Sequence, residues 1–224
     1  MAQRSEPVFD AEVPICPRCL KPLPLCICDE IRPIANRITL LILQHPQEQD
    51  RLLGTARIAA QQFAKATLHT GLSWPSLAKA LGRPADPKRW ATLFLGSARA
   101  TDFPPEREVA AFDRKGAALA DQDRELAHVE GVIVLDGTWS QAKTLWWRNA
   151  WLLKGKRIAL KPRRPSLYGQ RRREARREGL STIEAAGLVL SRLEDRPDME
   201  AAAMATFRRM LARYDAASEP KRAD

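Results

Sequence analysis

Val132-Ile133-Val134-Leu135-Asp136-Gly137-Thr138-Trp139-Ser140-Gln141-Ala142-Lys143 is the stretch on which the architecture turns. Its first four residues, all β-branched or aliphatic, read as a short strand buried on both faces, as in a parallel sheet. The strand stops at Asp136. Gly137 permits a tight turn, and Thr138 or Ser140 can cap a helix beginning at Gln141. Strand, polar loop and helix in that order place the loop at the carboxyl end of a strand, where open α/β sheets bind ligands. A carboxylate, a hydroxyl and an indole are thus presented beside exposed helix N–H groups. Without any function, Asp136 or Thr138 is simply a cap and Trp139 a core residue.

The same strand–loop–helix unit recurs on either side. Ile38 to Gln44 reads as a buried central strand, followed by His45-Pro46-Gln47-Glu48 and an alanine-rich helix to about Lys65. His45 alone is more readily a structural histidine than a ligand. Thr67 to Thr70 reads as a short strand, Ser76 to Leu81 as a short helix, and Ala91 to Leu95 as another strand with a polar loop, 96–102, behind it. Residues 103–130 carry no visible chemistry and are partly helical. Downstream, Trp147 and Trp151 stand four apart and read as one buried helix face. Arg157 to Leu160 is a further strand. Ser181 with Glu184 forms a capping box for a helix to about Leu193, and a last amphipathic helix starts at Pro197 and ends near Tyr214. The fold class is therefore α/β, a mostly parallel sheet with helices on both faces.

The chain has 224 residues, 45 % of them hydrophobic, enough to bury one real core. Its formal net charge is +10. Residues 154–177 hold eleven Lys or Arg against one acid, Glu174, while the other 200 residues hold 26 of each sign. The whole excess sits in one segment beside the central motif, as expected for binding an anionic, phosphate-bearing partner. A solvated basic face is the plainer alternative, but Pro162, Pro165, Tyr168 and Gly169 interrupt the run and suggest a shaped loop. No segment reaches the roughly 18 apolar residues of a membrane span. The first residues lack the apolar core of a signal peptide, so a cytoplasmic protein is expected.

All four cysteines fall between residues 16 and 28, as Cys16-Pro17-Arg18-Cys19 and Cys26-Ile27-Cys28. Four soft ligands with little loop to close suit tetrahedral zinc, in a structural site with no open position for catalysis. Two disulfides are disfavoured in a cytosolic chain; an iron–sulfur cluster is the other alternative, with less typical spacing. Leu20, Pro22, Leu23, Pro24 and Leu25 would pack this knuckle on the main domain. The expected organisation is an arm with the knuckle over 1–36, one catalytic domain over 37–216, and a flexible tail over 217–224.

Several segments together resemble one known family, in its order and over nearly all of the chain. They are Asp136-Gly137-Thr138-Trp139 with Ala142 and Lys143, His45-Pro46-Gln47-Glu48 with Thr55 and Arg57, Pro165-Ser166-Leu167-Tyr168 with Leu180-Ser181-Thr182-Ile183-Glu184-Ala185, and the cysteine cluster. The pattern resembles the DTW-domain proteins. That resemblance implies a SPOUT-like sheet whose C-terminal part is threaded into a trefoil knot holding S-adenosylmethionine. It also implies transfer of the 3-amino-3-carboxypropyl (acp) group to ring nitrogen N3 of a uridine in tRNA, with release of methylthioadenosine. The preference for RNA over DNA comes from the resemblance alone. On this reading Thr55, Thr138, Trp139 and Thr182 lie at the cofactor, and Asp136 takes or orients the uracil imide proton. Arg163, Arg164, Arg171, Arg172 and Arg173 hold phosphates, and zinc is structural. The competing readings are an RNA methyltransferase of the same architecture and a non-catalytic zinc-containing RNA- or ribosome-binding protein. The second leaves Asp136-Gly137-Thr138-Trp139 unexplained.

Overall fold

The computed structural model describes residues 6–93, 103–169, 171 and 179–218. Among them, six strands form one sheet: β1 (Thr39–Gln44), β2 (Ala66–Thr70), β3 (Trp90–Leu93), β4 (Val109–Phe112), β5 (Gly131–Asp136) and β6 (Lys156–Leu160). Their spatial order is β2-β1-β5-β3-β6-β4, and every neighbouring pair is parallel except β4 with β6. The helices are α1 (Ala56–Gln62), α2 (Leu77–Leu81), α3 (Gln122–Ala127), α4 (Trp139–Arg148), α5 (Thr182–Glu194) and α6 (Pro197–Ser218).

Alternation along the two central strands sorts the core into two layers, because successive side chains in a strand point to opposite faces. Leu40 and Ile42 of β1 and Val132 and Val134 of β5 pack with Ile58 of α1, Ile183 and Val189 of α5, and Phe207 of α6. Leu41, Leu43, Ile133 and Leu135 pack on the other face with Leu77 of α2, Ala142 and Leu145 of α4, and Trp90. All six residues of β5 are buried, as a two-faced parallel strand requires. The expected helices on both faces are therefore present. Gly187 lets α5 and α6 touch: a Cβ there would stand 2.7 Å from the Ala203 Cβ.

Four local expectations are corrected. Residues 109–112 form a strand rather than part of a charged, partly helical stretch. Two alanines weaken its intrinsic signal, and pairing with β6 supplies what propensity does not. α4 ends at Arg148, and Trp151 belongs to the short 3₁₀ turn Ala150–Lys154, so Trp147 and Trp151 share no face. Trp151 is buried while Trp147 is 74 % exposed. α1 ends at Gln62, since Phe63 pairs with Ile34 as an extended residue. α6 runs past Tyr214 to Ser218. The expected strand at 91–95 is seen as far as Leu93; Phe94, Leu95 and the polar loop 96–102 lie outside the described residues. No helix among the described residues is long and apolar enough to cross a membrane.

Candidate active site and cysteine centre

β1 and β5 run in register and end together, Gln44 beside Asp136. Gln44 Nε2 donates to Asp136 Oδ2 at 3.0 Å, and Gln44 Oε1 accepts from the Thr70 hydroxyl at 3.1 Å. One chain of side-chain bonds thus crosses the carboxyl ends of β2, β1 and β5. The other Asp136 oxygen, Oδ1, accepts from the hydroxyl of Thr182, the first residue of α5. Asp136 is 9 % exposed. A carboxylate has about four lone-pair positions, so these two bonds leave room for a third donor.

Thr138, and not Ser140, caps α4: its hydroxyl accepts from Gln141 N–H while Gln141 Oε1 accepts from Thr138 N–H at 2.6 Å. Gln141 Nε2 then donates to Gln47 Oε1 at 3.2 Å, joining this turn to the one after β1. Gly137 serves the turn by its small size, since a Cβ would meet the Gln141 Cβ at 2.8 Å. Trp139 opens α4 with 41 % of its surface exposed. His45 has the structural role its lone position suggested, its Nδ1 accepting from Gln47 N–H. Thr55 Oγ1 accepts from Ile183 N–H at 3.2 Å, so the starts of α1 and α5 meet. Thr55 is only 1 % exposed. In this structure it ties the start of α1 to the start of α5.

Glu184 does more than complete the capping box with Ser181. Its buried carboxylate accepts from Ser181 N–H and Oγ–H at 2.8 and 2.7 Å, and also from Ser166 Oγ–H at 2.6 Å and Leu167 N–H at 2.8 Å. A buried carboxylate is tolerable when its lone pairs are filled in this way. The loop Pro165–Tyr168 is thereby fastened to the start of α5. Tyr168 continues outward, its hydroxyl donating to Leu53 C=O at 2.7 Å and its ring meeting Phe207 edge-on at 4.9 Å.

Lys21 was not singled out in the sequence, although a lysine set between leucines and prolines beside four cysteines was the available signal. It is 3 % exposed, and its ammonium donates to Arg51 C=O at 3.1 Å and Leu52 C=O at 2.5 Å. Burial pushes its pKa down to about 8, against the pull of Cys19, Cys28 and Asp136. The loop 51–53 is therefore gripped from the knuckle by Lys21 and from the far side by Tyr168.

The four cysteine sulfurs lie within 4.8 Å of one another, all as free thiols, with Cys16 and Cys28 Sγ atoms 3.9 Å apart. Zn–S bonds of 2.3 Å in a tetrahedron put sulfurs roughly 3.8 Å apart, so the donor set fits zinc. Burial opposes charge at Cys16, yet donors from Cys19, Cys26 and Arg18 bring its pKa down to about 6. Burial lifts Cys19 to about 11 and pushes Cys28 up as well. Four confined thiolates repel, and a dication would let all four ionise. The knuckle packs inward through Leu25, Ile27 and Ile31, while Leu23 stays 48 % exposed.

The basic segment is partly committed within the fold. Arg171 makes a two-pronged ion pair with Asp215, Arg163 reaches Glu106 and Glu108, and Lys156 reaches Glu125. Arg164 and Lys161 are exposed. Arg172 and Arg173 lie outside the described residues. A cavity of about 450 Å³ opens beside this segment, lined among others by Pro162, Arg164, Leu180, Glu184, Met204 and Arg208. It is distinct from the strand ends that carry Asp136.

Asp136, Thr138, Trp139 and Thr182 are thus gathered at the carboxyl end of β5, with the Pro165–Tyr168 loop tied to α5. A search against family models matches the DTW domain to residues 13–215, a span holding the cysteines, Asp136 to Trp139 and both halves of the Glu184 junction. The chain belongs to the DTW-domain family. Among curated relatives, a mouse protein named tRNA-uridine aminocarboxypropyltransferase 2 is 30 % identical over 195 residues, covering 84 % of this chain and 59 % of its own. The Macaca fascicularis protein of that name is 28 % identical over 187 residues, covering 81 % of this chain and 57 % of its own. The Drosophila melanogaster protein of that name is 28 % identical over 192 residues, covering 82 % and 68 %. The chain therefore spans a little under three fifths of the two mammalian relatives. No solved structure matches it.

Proposed function

We propose that this DTW-domain protein is a tRNA-uridine aminocarboxypropyltransferase, using S-adenosylmethionine to place the acp group on N3 of a uridine. The observation that carries the reading is the match to relatives of that name across a span that includes the Asp136–Trp139 turn. The trefoil knot implied by the resemblance, and an intracellular setting, belong to the same proposal.

The sulfonium of S-adenosylmethionine has three activated carbons, so the enzyme's task is to aim one of them at the nucleophile. For acp transfer, N3 bonds to Cγ of the methionine chain, the Cγ–S bond breaks with its electron pair going to sulfur, and methylthioadenosine leaves. The imide proton must go elsewhere. Asp136 is held by Gln44 and Thr182 with lone pairs to spare, so it can accept that proton or orient the N–H. Thr138 and Thr182, at the starts of α4 and α5, present polar atoms to the donor, and Trp139 offers an indole face to the donor or to uracil. Zinc at Cys16, Cys19, Cys26 and Cys28 is structural on this reading and takes no part in the chemistry.

The test is to incubate unmodified tRNA with S-adenosylmethionine and the protein, then to analyse nucleosides and small products by mass spectrometry. The expected result is acp-uridine with an equal amount of methylthioadenosine. Release of S-adenosylhomocysteine with a methylated nucleoside would instead make the protein a methyltransferase, and no product of either kind would refute the enzyme reading.

Arginine roles divide accordingly. Arg164→Ala is expected to lower the salt dependence of tRNA binding by about 0.7 to 0.9 unit of log–log slope, the signature of one lost phosphate contact. Arg171→Ala is expected to act mainly on stability by leaving Asp215 without its guanidinium. Binding titrations at several salt concentrations, with thermal melts, check both; an unchanged slope for Arg164→Ala would reduce that arginine to a solvated face.

A further inference from the structure

The outward side of α4 bears a row of large, exposed side chains. Trp139, Lys143 and Trp147 are spaced four apart, so they follow one another along a helix surface, about 12 Å from first to last. All three are exposed, Trp139 by 41 % and Trp147 by 74 %. The helix is already anchored by its opposite side, where Ala142 and Leu145 enter the core. Trp146 is accounted for too, since the Arg157 guanidinium lies 5.3 Å from its ring centre. Trp147 thus gives up the large apolar burial that tryptophan ordinarily provides, with no visible return to the fold.

The surroundings say what could cover it. In sequence, Gly137 to Arg173 holds eleven Lys or Arg and no Asp or Glu; Lys156, Arg163 and Arg171 are paired within the fold, while Lys143, Arg148, Lys154, Lys161 and Arg164 are exposed. A protein partner seated on an apolar patch does not need such a field, whereas a polyanion does. Exposed aromatic faces with cations between them are how single-stranded nucleic acids are gripped: bases stack on the rings and the cations follow the phosphates. The row begins at the candidate active site, because Trp139 follows Asp136-Gly137-Thr138 directly.

We infer that Trp139, Lys143 and Trp147 form a stacking platform for unpaired nucleotides next to the target uridine. This rests on the proposed tRNA substrate. Trp139 takes the target or its neighbour, Lys143 meets the intervening phosphate, and Trp147 stacks a base farther along. The platform selects unpaired regions of RNA, since a base inside a duplex has no free face to offer.

The test compares the full chain with Trp147→Ala and Trp147→Phe in binding an unmodified tRNA transcript, with S-adenosylmethionine binding measured alongside. Trp147 lies outside the core, so both variants are expected to melt with the wild type. Trp147→Ala is expected to weaken tRNA binding about fivefold or more, the loss typical of one stacked base. Trp147→Phe should recover most of it, and affinity for S-adenosylmethionine should be unchanged. If the wild type binds tRNA and Trp147→Ala binds equally well, the platform is refuted while the proposed function stands. If the wild type does not bind tRNA, the proposed function and the platform both fall. Loss of self-association in Trp147→Ala by sedimentation, with tRNA affinity unchanged, would overturn the platform in favour of a contact between copies.

Discussion

Asp136→Asn is expected to fold, to bind S-adenosylmethionine and tRNA, and to form acp-uridine at least about a hundredfold more slowly than the wild type. The substitution keeps the shape of the side chain. Its amide oxygen can still accept from Gln44 Nε2, and its amide nitrogen can donate to Thr182, whose hydroxyl then turns to act as acceptor. Both bonds that hold the site together survive, so the cost in stability should stay within about 1 kcal/mol. What is lost is the negative charge and, on the proposed function, the carboxylate lone pair that would take the uracil imide proton. A neutral amide cannot take that proton. Single-turnover assays with excess enzyme, followed by nucleoside mass spectrometry, measure the step directly. Near-normal turnover would return Asp136 to the role of a bracket between β5 and α5.

Cys19→Ser is expected to strip the protein of about one zinc per chain and to destabilise it by about 4 kcal/mol or more, because metal-binding energy in such a site is folding energy. The damage should not stop at the knuckle. Ile27 and Ile31 belong to the same core as β1, β5, α5 and α6, and Lys21 holds the loop at Arg51 and Leu52. At temperatures where the variant is still folded, the turnover it retains should be indifferent to added zinc, since four cysteines would fill a tetrahedral zinc's coordination and leave no open position. Metal analysis together with thermal melts checks this. A native protein without zinc, or one holding iron with sulfide, would end the assignment.

The central unit was legible because its signals are local. A run of four aliphatic residues needs no context to be read as a buried strand, and Gly137-Thr138 announces a capped helix. Ser181 and Glu184 were readable as a capping box for the same reason. What the sequence could not disclose are the partners of those groups. Gln44 and Thr182 lie 92 and 46 residues from Asp136, and only the sheet order brings them to it. The second duty of Glu184, fastening Ser166 and Leu167, is equally nonlocal. Lys21 has meaning only once the carbonyls of Arg51 and Leu52 stand over it. Trp147 was misplaced by a boundary: counting four residues on to Trp151 assumes an unbroken helix, and α4 stops at Arg148. The basic run was legible as charge, but Arg171 turned out to be held by Asp215, which lies 44 residues away.

The order in which the chain is made bears on the Asp136 junction. Besides its shorter links, 26 from Gln44 to Thr70 and 46 from Asp136 to Thr182, it includes bonds between residues far apart in sequence: 92 from Gln44 to Asp136, 115 from Leu53 to Tyr168, and 128 from Thr55 to Ile183. A parallel sheet in which β5 inserts between β1 and β3 cannot be completed by early local pairing, and such nonlocal topologies fold slowly. A chain emerging from the ribosome can therefore pair β1 with β2 early, while the other flank of β1 waits for β5, with 92 residues separating Gln44 from Asp136. During that interval Gln44 has no Asp136 carboxylate to donate to. The junction is completed only when α5, the last of its elements in the chain, bonds to Asp136 through Thr182 and to Thr55 through Ile183.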